Sequence, residues 1–348
     1  MSTSNTLGTK FITVNVGQLR ETIRAAEAAG DVSLFIMGQP GLGKTAEAVA
    51  YAKELGRECI VEMLGFKGPQ DFGYPYLETN EDGSRSMQIS RPNFWPKTDN
   101  PVIILDEFNQ ASKSVQNNAQ QLIHAREVNG YKLPEKALVI LLGNRPEDKV
   151  NVEKLSSACV NRVCIIRVEA HQPSWIKWAQ SHGIDPLITS FIQFRPDLLT
   201  NFDGKKWDGA SNFASPRTWE KASKIINATN DRHIRHAMLE GTLGQGAAAE
   251  LVGFLGIYEK LPDLDQVLAD PDKAEVPTDP SVVYATCAGL AKKVKPKTME
   301  NFCKYIDRLN KEFAVFAIKT AGYANKTVLA TPAFTQWVTR NQDSFNKI

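Results

Sequence analysis

Val32-Ser33-Leu34-Phe35-Ile36-Met37-Gly38-Gln39-Pro40-Gly41-Leu42-Gly43-Lys44-Thr45-Ala46-Glu47-Ala48-Val49-Ala50 decides the fold. An apolar run of strand length enters a glycine-rich turn, and the turn opens onto a run of helix formers. Backbone N–H groups can all turn inward only where glycine relaxes the backbone, and the positive end of the following helix then favours an anion. Gly38, Gln39, Pro40, Gly41, Leu42, Gly43, Lys44 and Thr45 therefore form a candidate phosphate-binding loop. Lys44 is placed to reach the β- and γ-phosphates of a nucleotide such as ATP, and the Thr45 hydroxyl to ligate Mg²⁺.

Working outward, four further apolar runs have strand length: Cys59 to Met63, Val102 to Leu105, Ala137 to Leu142 and Val163 to Val168. Helix-forming stretches separate several of them, for example Ala46 to Leu55 and Lys113 to Arg126. Before them, residues 16–29 place Val16, Leu19, Ile23 and Ala26 on one helical face. Alternation of this kind predicts a five-stranded, largely parallel sheet of α/β class, with ligands at the strand carboxyl ends.

Two of those ends carry polar groups suited to phosphate chemistry. The strand from Val102 delivers Asp106 and Glu107, the first to hold Mg²⁺ and the second to polarise an attacking water. The strand from Ala137 ends in Gly143-Asn144-Arg145-Pro146, and the Asn144 amide can donate and accept toward the same water. Arg162, before the last strand, and Arg217, in Ser215-Pro216-Arg217-Thr218, supply guanidinium groups able to stabilise charge on a transferring phosphoryl group. Glu107, Asn144, Arg162 and Arg217 are thus the candidate catalytic residues.

Loop, acidic strand end, asparagine and two arginines, in this order, resemble the AAA+ ATPases, and Asp106-Glu107-Phe108-Asn109-Gln110-Ala111 resembles the corresponding motif of their MoxR-like group. The resemblance spans roughly residues 15–230. It implies an AAA+ P-loop core followed by an α-helical lid, with Asn144 as sensor 1, Arg162 as an arginine finger reaching a neighbouring subunit's ATP, and Arg217 as sensor 2. An arginine supplied in trans implies a ring, a hexamer by resemblance. It also implies a protein partner, commonly one with a von Willebrand factor A domain, which would be a separate chain. Gln110 stands where the group usually has arginine. The stretch from Gly65 to Tyr76 corresponds to an insert that would face the ring channel, so Phe66, Lys67, Phe72 and Tyr74 are either partner contacts or loop packing. A nucleic-acid motor is the alternative, with Lys67, Arg85, Arg91 and Lys97 beside that insert; an assembly switch with little turnover is another. Asn129-Gly130 predicts a tight hairpin before the Asn144 strand.

The organisation expected is an α/β nucleotide-binding core at 1–170, a helical lid at 171–260, and a proline-containing connector with a helical C-terminal region at 261–348. The connector is read from four prolines between Leu261 and Pro280. In residues 298–321, Phe302, Tyr305, Ile306, Leu309, Phe313 and Phe316 form a stripe that is either core or a partner groove.

Composition narrows the function further. Apolar residues make up 42% and charged residues 23%, and 41 basic against 39 acidic residues give no global field toward nucleic acid or membranes. No apolar run approaches membrane-spanning length, and Met1 to Thr6 lack a targeting pattern, so a cytoplasmic setting is expected. Cys59, Cys159, Cys164, Cys287 and Cys303 contain no Cys-x-x-Cys pair and read as buried structural thiols, and the five histidines show no metal-binding spacing.

Overall fold

The structure is a computed structural model that describes residues 12–30, 32–148, 152–153, 155 and 157–347. The Met1 to Thr6 stretch lies outside them. The chain divides into two compact units, Met1–His171 with Asp203–Lys206, and Gln172–Phe202 with Trp207–Ile348.

In the first unit the elements run β1 (Thr13–Asn15), α1 (Leu19–Ala29), β2 (Leu34–Gly38), α2 (Lys44–Glu54), β3 (Cys59–Met63), β4 (Pro75–Thr79), β5 (Arg85–Ile89), β6 (Val102–Asp106), α3 (Lys113–His124), β7 (Glu127–Val128), β8 (Tyr131–Lys132), β9 (Leu138–Gly143), α4 (Ser157–Val160) and β10 (Cys164–Glu169). Six strands form one parallel sheet in the order β1-β10-β2-β9-β6-β3. β2, β6 and β9 are buried along their whole length, which is why they read as unbroken apolar runs. Side chains alternate between two cores. Leu34, Ile36, Ile104 and Ile140 pack with Leu19, Ile23, Ala48 and Tyr51 of α1 and α2. Phe35, Ile103, Leu105 and Leu141 pack with Phe108 and with Val115, Ala119 and Leu122, the last three on α3.

Two expectations need correction here. The sheet has six strands, not five, because Thr13–Asn15 pairs in parallel with β10; a three-residue polar edge strand leaves no apolar run to read. The helix expected from Val16 begins with a 3-10 turn, Val16–Gln18, where Asn15 and Gln18 exchange backbone-to-side-chain hydrogen bonds of 3.0 and 3.1 Å. The Asn129-Gly130 hairpin forms as expected, both residues at positive φ (52° and 83°) between β7 and β8.

At the amino end of the sheet one arginine closes the strands. Arg57, its side chain 7% exposed, pairs with Glu27. It also donates to the carbonyls of Asn100 (2.6 Å), Pro101 (3.2 Å) and Lys136 (3.0 Å), which precede β6 and β9. The Tyr51 hydroxyl donates to the same Glu27 carboxylate, and burial together with that carboxylate pushes the phenol up to about 12.

The second unit is helical: α5 (Gln172–Ser181), α6 (Pro186–Phe194), α7 (Pro216–Ala228), α8 (Arg232–Leu243), α9 (Gln245–Glu259), α10 (Leu264–Ala269), α11 (Pro280–Lys293), α12 (Met299–Ile306), α13 (Lys311–Ala324), α14 (Pro332–Arg340) and α15 (Gln342–Lys347). Four of these start with the same local device, a capping side chain followed by proline: Asp185-Pro186, Ser215-Pro216, Asp279-Pro280 and Thr331-Pro332. Each cap oxygen takes an orphan backbone N–H, and proline has none to leave unpaired. The connector is not free of helix, since α10 lies between its prolines, capped by Asp263. The aromatic stripe is split between α12 and α13, and Phe302, Tyr305, Ile306 and Phe316 are buried in one core with Leu290 and Trp337. Core packing is the role of Phe302, Tyr305 and Ile306, while Phe316 packs in the same core and also lines a cavity of this unit. Among the thiols, Cys159, Cys287 and Cys303 are buried, Cys59 is half-buried and Cys164 is exposed, which corrects the expectation for Cys164.

Candidate nucleotide-phosphate site

The site is built at the carboxyl ends of β2, β9 and β6, which are neighbours in the sheet. Gly38 is the last residue of β2, and a Cβ there would lie 2.8 Å from the Val168 carbonyl oxygen and 3.2 Å from Leu42 Cδ1. Gly41 and Gly43 take φ of 79° and 93°, a region that costs other residues strain. Leu42 is buried in the core shared by α1 and α2, so it pins the loop while its neighbours turn.

Lys44 opens α2 and is buried. Its Nζ donates to the carbonyl oxygens of Gly38 (2.8 Å) and Gln39 (2.9 Å) and stands 3.4 Å from Asn144 Oδ1. Thr45 Oγ1 donates to Asp106 Oδ2 at 2.5 Å, while Asp106 Oδ1 accepts the Glu107 N–H at 2.7 Å. Two bonded pairs, Lys44 with Asn144 and Thr45 with Asp106, meet at the adjacent residues 44 and 45 and so form one group around the loop, across up to 100 positions. Hydroxyl and carboxylate are hard oxygen donors of the kind Mg²⁺ takes, and Mg²⁺ is usually held by one or two protein groups together with substrate phosphates. No cluster of three or more His, Cys, Asp or Glu suited to a metal occurs among the described residues.

Glu107 follows β6 in a left-handed conformation, φ 54° and ψ 31°, which costs a non-glycine residue energy and is tolerated where the surroundings enforce it. Its carboxylate rests against Gly65, where a Cβ would lie 2.6 Å from Glu107 Oε2. Asn109 is buried and clamps Asn144 from both sides: its Nδ2 donates to the Asn144 carbonyl at 2.7 Å and its Oδ1 accepts the Asn144 N–H at 3.2 Å. A Cβ on Gly143 would sit 2.4 Å from that same Oδ1. Gly65, Asn109 and Gly143 were given no role by motif reading. The signal available for the last two was small: a glycine directly before Asn144, and an asparagine two residues after Glu107.

The two arginines are not part of the bonded group. Arg162 is exposed on the turn between α4 and β10, its backbone N–H donated to the Cys159 carbonyl at 3.0 Å. Arg217 is exposed as the second residue of α7, in the other unit. The channel-insert segment divides as well. Phe66 is 82% exposed and Tyr74 is exposed, whereas Phe72 is 1% exposed and meets Phe94 edge-to-face at 5.5 Å. Phe72 is therefore core. Lys67 is paired with Glu62 at 2.8 Å, and that carboxylate raises its pKa.

Residues 34–167 match the family described as "ATPase family associated with various cellular activities (AAA)", a window that opens on the first residue of β2 and contains the whole bonded group. No curated protein matches the chain. Among solved structures, a RuvB mutant from Thermotoga maritima is similar at 14% identity and TM-score 0.39, covering 83% of this chain and 85% of its own. NtrX from Brucella abortus in complex with ADP is similar at 14% identity and TM-score 0.40, covering 96% and 70%. No described helix is long and apolar enough to cross a membrane. Residues 34–167 thus combine the AAA-family match with a glycine-rich loop of phosphate-binding geometry.

Proposed function

We propose that this chain is a MoxR-like AAA+ ATPase that hydrolyses ATP with Mg²⁺ as a ring oligomer, hexameric and cytoplasmic, and uses turnover to remodel or activate a partner protein, one with a von Willebrand factor A domain. The observation that carries the catalytic part is the single bonded group of Lys44, Thr45, Asp106 and Asn144 at three adjacent strand ends. Within it Lys44 binds phosphate as a point charge, Thr45 and Asp106 hold Mg²⁺, Glu107 takes the proton of the attacking water, and Asn144 orients that water. Bound Mg²⁺ neutralises charge on the phosphate oxygens. Arg162 serves a neighbouring subunit's ATP and Arg217 its own subunit's. The helical unit divides functionally into a lid, 171–260, and a C-terminal region, 261–348. The ion pair that holds Lys67 counts against the nucleic-acid motor, because a paired lysine offers little to phosphate.

The test is phosphate release from MgATP by the full chain, with nucleotide affinity measured in parallel. Lys44→Ala should weaken ATP binding by about 10- to 100-fold, the range expected for losing a charge-assisted hydrogen bond. Arg162→Ala should lower turnover by about 10³-fold and regain activity when mixed with Glu107→Gln subunits. Wild-type protein that binds MgATP without hydrolysing it would reduce the chain to an assembly switch. A pull-down from the native host that recovers nucleic acid and no recurrent protein would remove the partner-remodelling reading.

A further inference from the structure

A cavity of about 950 Å³ lies wholly within the helical unit between α5, α13, the Lys326–Ala330 turn, α14 and α15. It is at the upper end of the roughly 300–1,000 Å³ that small-molecule pockets span. Its apolar lining includes Phe316, Tyr323, Leu329 and Phe334, of which Tyr323 and Leu329 are exposed. Three lysines from three elements line it, Lys177 on α5, Lys319 on α13 and Lys326 on the turn, and no aspartate or glutamate does. None of the three is ion-paired with a described acid. Lys319 instead lies over the Phe345 ring at 4.8 Å, and burial, with the neighbouring Lys177 charge, lowers its pKa.

Three cations gathered around an apolar hollow without a counter-ion repel one another, so an anion that fits the hollow gains from all three. The rest of the polar lining is neutral: Ser174 and the amides of Gln172, Gln180 and Gln193. Glutamine amides both donate and accept, which matches a peptide backbone. No arginine lines the cavity, whereas planar bidentate recognition of phosphate favours arginine. The charge, the amides and the apolar floor together fit carboxylates next to bulky apolar side chains on one peptide.

We propose that this cavity docks an acidic peptide segment of a protein partner, with leucine- or phenylalanine-type side chains on the apolar floor and carboxylates against Lys177, Lys319 and Lys326. The inference deepens the partner-remodelling reading and rests on it for taking the occupant to be a protein. It concerns a surface of the helical unit and uses none of the nucleotide-site residues.

The experiment measures binding of a fluorescein-labelled decapeptide of alternating glutamate and leucine to the full chain by anisotropy, alongside its glutamine counterpart and a fluorescein-labelled oligouridylate. The acidic peptide should bind saturably, and the double variant Lys177→Glu/Lys319→Glu should weaken it by about tenfold or more, as loss of charge-assisted contacts requires. Leu329→Asp should weaken it independently. Carbodiimide coupling to wild-type protein should join peptide carboxylates to Lys177, Lys319 or Lys326, a readout that does not depend on how well the variants fold. Equal binding of the glutamine peptide, tighter binding of the oligouridylate, no saturable binding, or coupling elsewhere would each overturn the proposal. ATP hydrolysis is followed in the same samples: hydrolysis without peptide binding defeats only the docking site, and peptide binding without hydrolysis defeats only the ATPase reading.

Discussion

At the carboxyl ends of β2, β9 and β6 polar side chains rest on loop carbonyls and on one another. At the amino ends of β6 and β9 one arginine is held almost entirely by backbone. The Lys44 ammonium rests on two loop carbonyls and Thr45 on Asp106, contacts that phosphate oxygens and a hydrated cation can replace. Arg57, by contrast, spends its donors on three carbonyls and Glu27, and none of those partners belongs to a ligand. The same sheet thus carries exchangeable bonds at one end and permanent ones at the other. Exchangeability, rather than burial or polarity, marks the end to which we assign the chemistry.

The strongest way to break this contrast is Glu107→Gln. It removes the proton acceptor and keeps the shape, so turnover should fall about 10²- to 10⁴-fold with ATP still bound; phosphate release and equilibrium nucleotide binding read the two effects separately. Normal hydrolysis by that variant would falsify the assigned base. Next comes Arg57→Ala, which removes a donor from three carbonyls and from Glu27, leaving Leu138 N–H on the Pro101 carbonyl and Tyr51 on Glu27. Unfolding in denaturant should show a loss of about 2–4 kcal/mol, while turnover per folded molecule stays at the wild-type value. If turnover drops with stability unchanged, the two ends are not separable.

Asn109→Ala sharpens the comparison, because its side chain is structural in kind yet sits at the chemical end. Two buried backbone groups of Asn144 lose their partners, at a cost of about 1–3 kcal/mol. A positioning role predicts a lower kcat with nucleotide affinity nearly unchanged, whereas a purely structural role would leave kcat of the folded fraction alone. The smallest effect is expected from Tyr51→Phe, about 0.5–1.5 kcal/mol for one hydrogen bond to a carboxylate that Arg57 still holds. Tyr51 keeps its proton to a higher pH in the fold than in the unfolded chain. Wild-type stability should therefore hold below about pH 10 and fall toward pH 12, as the unfolded state alone sheds the proton. The phenylalanine variant should lose that part of the decline.

Much of the candidate site's local geometry was legible because its demands are local. Gly41 and Gly43 announce left-handed backbone, Lys44 and Thr45 follow at fixed offsets, and Asp106 and Asn144 close runs that are apolar because both faces of their strands are covered. Helix starts in the second unit were equally local, a capping oxygen and then proline. Phe66 and Phe72 show the limit. Six residues apart in one loop and alike in chemistry, one is almost fully exposed and the other almost fully buried, because only Phe72 meets Phe94.

The sequence by itself determined which residues turn and which run apolar, and so a parallel α/β core with its glycine-rich loop. The tertiary structure alone decided that Thr13–Asn15 pairs with β10, that Arg57 closes the sheet, that Gly65 makes room for the Glu107 carboxylate and that Asn109 holds Asn144. The physical reason is range. Backbone preference and periodicity are properties of a few consecutive residues, whereas a contact across 35 or more positions exists only once strand register has brought its two halves together.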